Sequence, residues 1–139
     1  MQENRAALKS EYSLHWLLHP ARDFQKTVDF YTNVLGFRLL DQGYAQTDFH
    51  FNRYAQFQFE NGITFEVVEP KEQYKDIFRH PIACLRVEDL EAHRKHLSDK
   101  GTVFISEILD SGDGWGWTYF KGADDTILQL EGPYKASKG

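Results

Sequence analysis

The chain has a single cysteine, Cys84, in 139 residues. No disulfide can close within it, and a zinc knuckle built on cysteines is excluded. Proline is scarce as well, with four residues, and no Pro/Gly/Ser-rich stretch separates one half from the other, so nothing marks a linker. No run approaches the roughly 20 apolar residues that a membrane-spanning helix needs. The opening MQENRAALKSEYS lacks the apolar core of a secretory signal. Positive charge is in deficit, 16 Lys and Arg against 21 Asp and Glu for a net charge of −5, whereas nucleic-acid binders present a basic face. Together these deficits point to a cytoplasmic protein with neither nucleic acid nor membrane as a partner.

What is present suits one globular domain. Hydrophobic residues make up 41% and charged residues 27%, and the length supports a core without covalent staples. Aromatic residues reach 15% and concentrate in residues 49–59 and 115–120. Residues 1–11 read as a leader, 12–133 as a single domain and 134–139 as a polar tail.

Within 12–133 the same unit occurs twice. SLHWLLH (13–19) reads as a strand. Asp23 is placed to cap a helix carrying Phe24, Val28, Tyr31 and Leu35 at helical spacing, and Gly36 closes it. Strand-like stretches follow at 37–42, 54–60 and 63–69. IACLRV (82–87) then reads as a strand, Asp89 as a cap, 90–100 as a helix and Gly101 as its stop. Further strands are expected at 102–108, 117–121 and 126–131. The order is β-α-β-β-β in residues 12–70 and again in 80–133. A repeat that cannot bury its own sheet face is expected to stack on its copy and share a core. His93 and His96, three apart on the second helix, read as a solvated face rather than a metal clamp.

These residues resemble the vicinal oxygen chelate superfamily, which contains glyoxalases, bleomycin-resistance proteins and extradiol dioxygenases. The resemblance rests on Asp23 followed by Phe30-Tyr31-Thr32-Asn33-Val34-Leu35-Gly36-Phe37, then on Arg86-Val87-Glu88-Asp89-Leu90. Gly114-Trp115-Gly116, read as a loop, and Leu128-Gln129-Leu130 complete it. The resemblance implies an α+β fold of two tandem βαβββ modules whose curved sheets surround a cavity, with helices on the convex side. It also implies a homodimer. In metal-dependent members four ligands converge on the cavity, from the first and last strand of each module.

Aligning Phe65-Glu66-Val67 with Leu128-Gln129-Leu130 sets Glu66 and Gln129 at equivalent last-strand positions. The flanking apolar pair can pack beneath the helices while the polar residue points into the cavity. Glu66 would face a bound ion or a polar group of the ligand, as a metal ligand or general base; the alternative is a wet strand face or an arginine partner such as Arg53 or Arg86. Counting back from Asp23 puts Trp16, not His15, at the family's first-strand histidine. Alternation favours His15, Leu17 and His19 toward the cavity, with Leu14, Trp16 and Leu18 toward the core and a bulge near His19-Pro20 absorbing the extra residue. The second module offers Ile82 at the corresponding place. His15, Glu66 and Gln129 are the metal-ligand candidates, for Zn, Ni, Mn or Fe, with Gln129 the weak member.

Trp115, Trp117, Tyr54, Phe51, Arg86 and Gln129 are the candidate ligand-binding residues, because flat aromatic walls with a few polar groups suit a planar organic molecule. Phe57, Phe59 and Phe120 read equally as core or dimer contacts. Two functions stand: capture of a small aromatic or cationic molecule without a catalytic metal, and a metal-dependent glyoxalase-like lyase or isomerase, or a dioxygenase. A scaffold filled by its own rings is the blander alternative.

Overall fold

Both helices begin on an aspartate. Asp23 accepts from the Lys26 backbone N–H and Asp89 from that of Ala92, each at 3.1 Å, supplying orphaned first-turn donors with an acceptor. In the computed structural model, which describes residues 12–135, the expected leader and residues 136–139 of the tail lie outside the described residues. The first module holds β1 (Ser13–Pro20), α1 (Phe24–Asp29), β2 (Leu39–Tyr44), β3 (Phe51–Gln58) and β4 (Thr64–Pro70). The second holds β5 (Ile82–Arg86), α2 (Leu90–Asp99), β6 (Leu109–Asp110), β7 (Trp115–Lys121) and β8 (Ile127–Pro133). A π-helical turn over Phe30–Val34 prolongs α1.

The strands form one curled sheet in the order β2-β3-β4-β1-β5-β8-β7-β6. β1 runs parallel to β4, and β5 parallel to β8; β1 and β5 meet antiparallel and join the modules within one chain. Leu17 pairs with Ala83, flanked by Trp16 with Cys84 and Leu18 with Ile82. A local two-fold therefore passes between Leu17 and Ala83, making Trp16 the counterpart of Ile82 and Leu18 that of Cys84. Leu18 pairs with Glu66 as Cys84 pairs with Gln129, so Glu66 and Gln129 are counterparts in space as well as in sequence.

Alternation along the last strands divides the core. Phe65 and Val67 pack with Phe24, Val28 and Phe57 beneath α1. Leu130 and Phe120 pack with Val87 and Leu90 beneath α2. Each such side chain contributes about 1.5–3 kcal/mol by burial. On the concave side Leu18, Phe51, Val68, Ile82, Cys84 and Tyr119 meet Ile77 and Phe78 from the connection between modules. Gly132 on β8 permits a close crossing: a Cβ there would lie 2.2 Å from the Val87 carbonyl oxygen.

Two expectations fail. The strand expected at 102–108 is reduced to a bridge between Phe104 and Phe120, with regular pairing only at Leu109–Asp110. Ser106 explains the gap. Its hydroxyl accepts from the Tyr119 backbone N–H at 3.1 Å, and its carbonyl accepts from Thr118 Oγ1 and Arg94, so side chains replace the ladder. The Gly114-Trp115-Gly116 segment is not a loop either. Trp115 opens β7 and pairs with Pro133.

Candidate functional site

β1 carries a register shift between Leu14 and Trp16. The bulge sits at His15, not near His19-Pro20, and it reverses the faces expected for the rest of the strand. Trp16 and Leu18 line the hollow. Leu17 packs on the α1 side, and His19 shares a 2.7 Å hydrogen bond with the Tyr31 hydroxyl. His15, at the bulge, still reaches the site: its Nδ1 hydrogen-bonds Glu131.

Glu66 is buried on the floor of the hollow, only 7% exposed. The Trp16 indole donates to its Oε1 at 2.9 Å, and the Gln56 amide donates to its Oε2 at 3.0 Å. Burial pushes its pKa up to about 7; the two donors pull it down, and the negative charges of Glu131 and Asp41 push it up further. Across the local two-fold, the Gln129 amide donates to Glu131 Oε1 at 2.8 Å. His15 and Gln129 thus hold one carboxylate, Trp16 and Gln56 the other.

The hollow encloses about 480 Å³. Its walls include Trp115, Trp117, Tyr54, Phe51 and Phe49, and Phe49 stands edge-on to Trp117 with ring centres 4.7 Å apart. Every charged side chain among the lining residues (Glu66, Asp113 and Glu131) is acidic. Burial also raises the pKa of the Tyr119 hydroxyl well above its ordinary value.

Of the residues singled out in the sequence, Glu66, Gln129, Trp115, Trp117, Tyr54 and Phe51 share this one cavity. Arg86 does not line it. Its guanidinium lies 5.4 Å from the centre of the Trp115 ring and bonds Glu88 at 3.2 Å. Gln56, Asp113 and Glu131 escaped the sequence reading, and Trp16, expected on the core side, lines the cavity instead. Glu131 could have been found, because it stands two residues beyond Gln129 on the same strand and therefore on the same face. For Trp16 the signal is the count back from Asp23; alternation alone sends it to the core, because the bulge at His15 is not visible in the sequence.

The sequence matches the family described as Glyoxalase/Bleomycin resistance protein/Dioxygenase superfamily over residues 13–130. The chain belongs to that superfamily. Methylmalonyl-CoA epimerase from Mycobacterium tuberculosis superposes with a TM-score of 0.72 at 18% identity, covering 92% of this chain and 93% of that one. A hypothetical protein from Bacillus halodurans C-125 gives 0.73 at 13% identity, covering 94% and 100%. A mutant 4-hydroxymandelate synthase from Streptomyces coelicolor gives 0.57 at 15%, covering 96% of this chain and 53% of that one. At these identities the likeness is one of fold. No curated protein sequence matches the chain.

The superfamily's metal positions can now be tested against the residues that occupy them. The first- and last-strand places are held by Trp16, Glu66, Ile82 and Gln129. An indole N–H is a donor with no lone pair to give, and Ile82 has no ligating atom. Among the described residues no three His, Cys, Asp or Glu side chains gather as a metal set. Of the trio His15, Glu66 and Gln129, His15 does not line the cavity and is held at Nδ1 by Glu131, which leaves one carboxylate and the weak neutral oxygen of Gln129. The donor set does not fit a divalent cation.

Proposed function

We propose that the chain captures a small aromatic or cationic organic molecule in this cavity by non-covalent binding, without a catalytic metal. The observation that carries the reading is a hollow of about 480 Å³ with tryptophan and tyrosine walls whose charged side chains, among the described residues, are all acidic. Rings of this kind attract a cation through their faces, at about 0.5–2 kcal/mol each, and the enclosed carboxylates add attraction in a medium that screens poorly. Trp115 and Trp117 stack on the ligand, Glu66 anchors its polar group, and His15 steadies Glu131.

A thermal-shift screen of small compounds sorted by ring content and charge tests this, with elemental analysis of untagged protein run alongside. Aromatic cations are expected to raise the melting temperature, with binding unaffected by chelators. Stoichiometric metal whose removal abolishes binding overturns the reading.

A second reading, a metal-dependent lyase, isomerase or dioxygenase, draws support from Glu66, since a carboxyl with a pKa of about 7 suits a general base at neutral pH. It expects metal content and turnover to fall in a Glu66→Ala, His15→Ala double variant; unchanged values remove it. We also hold that the protein is cytoplasmic and pairs as a homodimer, to be checked by light scattering. No helix among the described residues is long and apolar enough to cross a membrane.

A further inference from the structure

The Glu66 carboxylate is fixed in its plane. One donor comes to each oxygen, Trp16 from β1 and Gln56 from β3, so rotation of the carboxylate is restrained from both ends. Each carboxylate oxygen has two lone-pair sites. One per oxygen is spent on the protein, and one per oxygen is left for the cavity that Glu66 lines.

The other acids of the lining and Gln129 ask for donors too. Asp113 and Glu131 are acceptors when ionised. Gln129 turns its amide nitrogen to Glu131, and its Oε1 is left buried without a partner. Among the described residues no Lys, Arg or His lines the cavity, and His15 is engaged by Glu131, so a cationic partner for Glu66 comes with the ligand.

We propose that the ligand is a planar aromatic cation bearing two parallel N–H donors, of the amidinium or guanidinium class, seated two-pronged on the oxygens of Glu66 with its ring against Trp115 and Trp117. This rests on the capture reading above and narrows it. A planar fork on a carboxylate makes two parallel charge-assisted hydrogen bonds, the strongest and most geometrically selective pairing open to that group. A quaternary ammonium brings equal charge but no N–H, leaving the desolvated acceptors unmet. An anion of the same shape meets three acidic side chains, with the Tyr119 hydroxyl and the indole N–H groups too few to offset their repulsion.

The test is isothermal titration at pH 8 of the full chain with benzamidine, phenyltrimethylammonium and benzoate. Benzamidine is expected to bind saturably with Kd below about 1 mM, within reach of a ligand of its size. Phenyltrimethylammonium is expected to bind at least about 10-fold more weakly, the loss of one good polar contact, and benzoate not at all. Glu66→Gln is expected to weaken benzamidine by about 10-fold or more and to leave the quaternary cation less affected. The ranking on the unaltered chain decides the matter even if that variant fails to fold. Equal binding of the two cations overturns the fork and leaves aromatic-cation capture standing. Absence of benzamidine binding overturns the fork, and benzoate binding as tightly as benzamidine overturns both.

Discussion

Beneath the helices the two modules carry matched side chains. Phe57 answers to Phe120, Val67 to Leu130 and Phe24 to Leu90, all of them buried. Inside the hollow the match is lost. Trp16 answers to Ile82, Glu66 to Gln129, Gln56 to Tyr119, and Val68 to Glu131, as the strand registers align them. Each module keeps one buried acid, but the second carries it two residues further along its strand. The helix-facing side must exclude water whatever the protein does, and any apolar side chain of suitable volume serves. The concave side is free to differ, and there one carboxylate acquired two protein donors while its counterpart became an amide turned toward another acid.

The comparison can be broken first at its matched positions. Phe57→Ala and Phe120→Ala should each cost about 3–5 kcal/mol, a large part of the roughly 5–15 kcal/mol typical of a domain, with Phe57 the costlier. Urea denaturation of both variants measures this, and a loss under about 1 kcal/mol at either site would deny that the two cores do equivalent work.

The unmatched positions should show in the pH dependence. The native Glu66 pKa of about 7 lies above its ordinary 4.5, so the folded protein keeps a proton that the unfolded chain has released. Stability contributed at this site therefore falls as pH rises from about 4.5 through about 7. Glu66→Gln should raise stability at pH 8 by up to a few kcal/mol and change little at pH 4. Melting curves across that range check it; a variant less stable than the parent at pH 8 would contradict the sign.

Making the modules more alike should hurt. Gln129→Glu sets a new carboxylate beside Glu131, whose Oε1 now accepts from the Gln129 amide, and is expected to destabilise by about 1–3 kcal/mol at pH 8 and much less at pH 4. Equal melting temperatures at both pH values would show that the hollow tolerates a third buried acid. The smallest effects belong to the paired helix caps: Asp23→Ala and Asp89→Ala should each cost about 1 kcal/mol and should match within error.

Much of this was open to inspection in the residues. The duplicated order, both aspartate caps and the inward turn of Glu66 and Gln129 follow from local rules, because capping, helical spacing and strand alternation reach only a few residues. The strand expected at 102–108 dissolved because Ser106 finds partners on β7 and α2, which no local pattern announces. The face of Trp16 was misread for a similar reason: one extra residue at His15 inverts a strand, and a bulge leaves no mark in composition. Arg86 belonged to a sequence motif yet does not line the hollow; its guanidinium lies near the Trp115 ring and bonds Glu88 instead.

The sequence by itself determined the repeat, the helix starts, the apolar sides of the last strands and the shortage of basic and sulfur ligands, all properties of residue type and spacing. Tertiary structure alone decided that an indole N–H, rather than an imidazole, meets Glu66, that Glu131 joins the cavity through His15 and Gln129, and that a buried acid ends with a pKa of about 7. The physical reason is desolvation and partnering, which depend on what the other strands bring across the sheet and not on the neighbours along the chain.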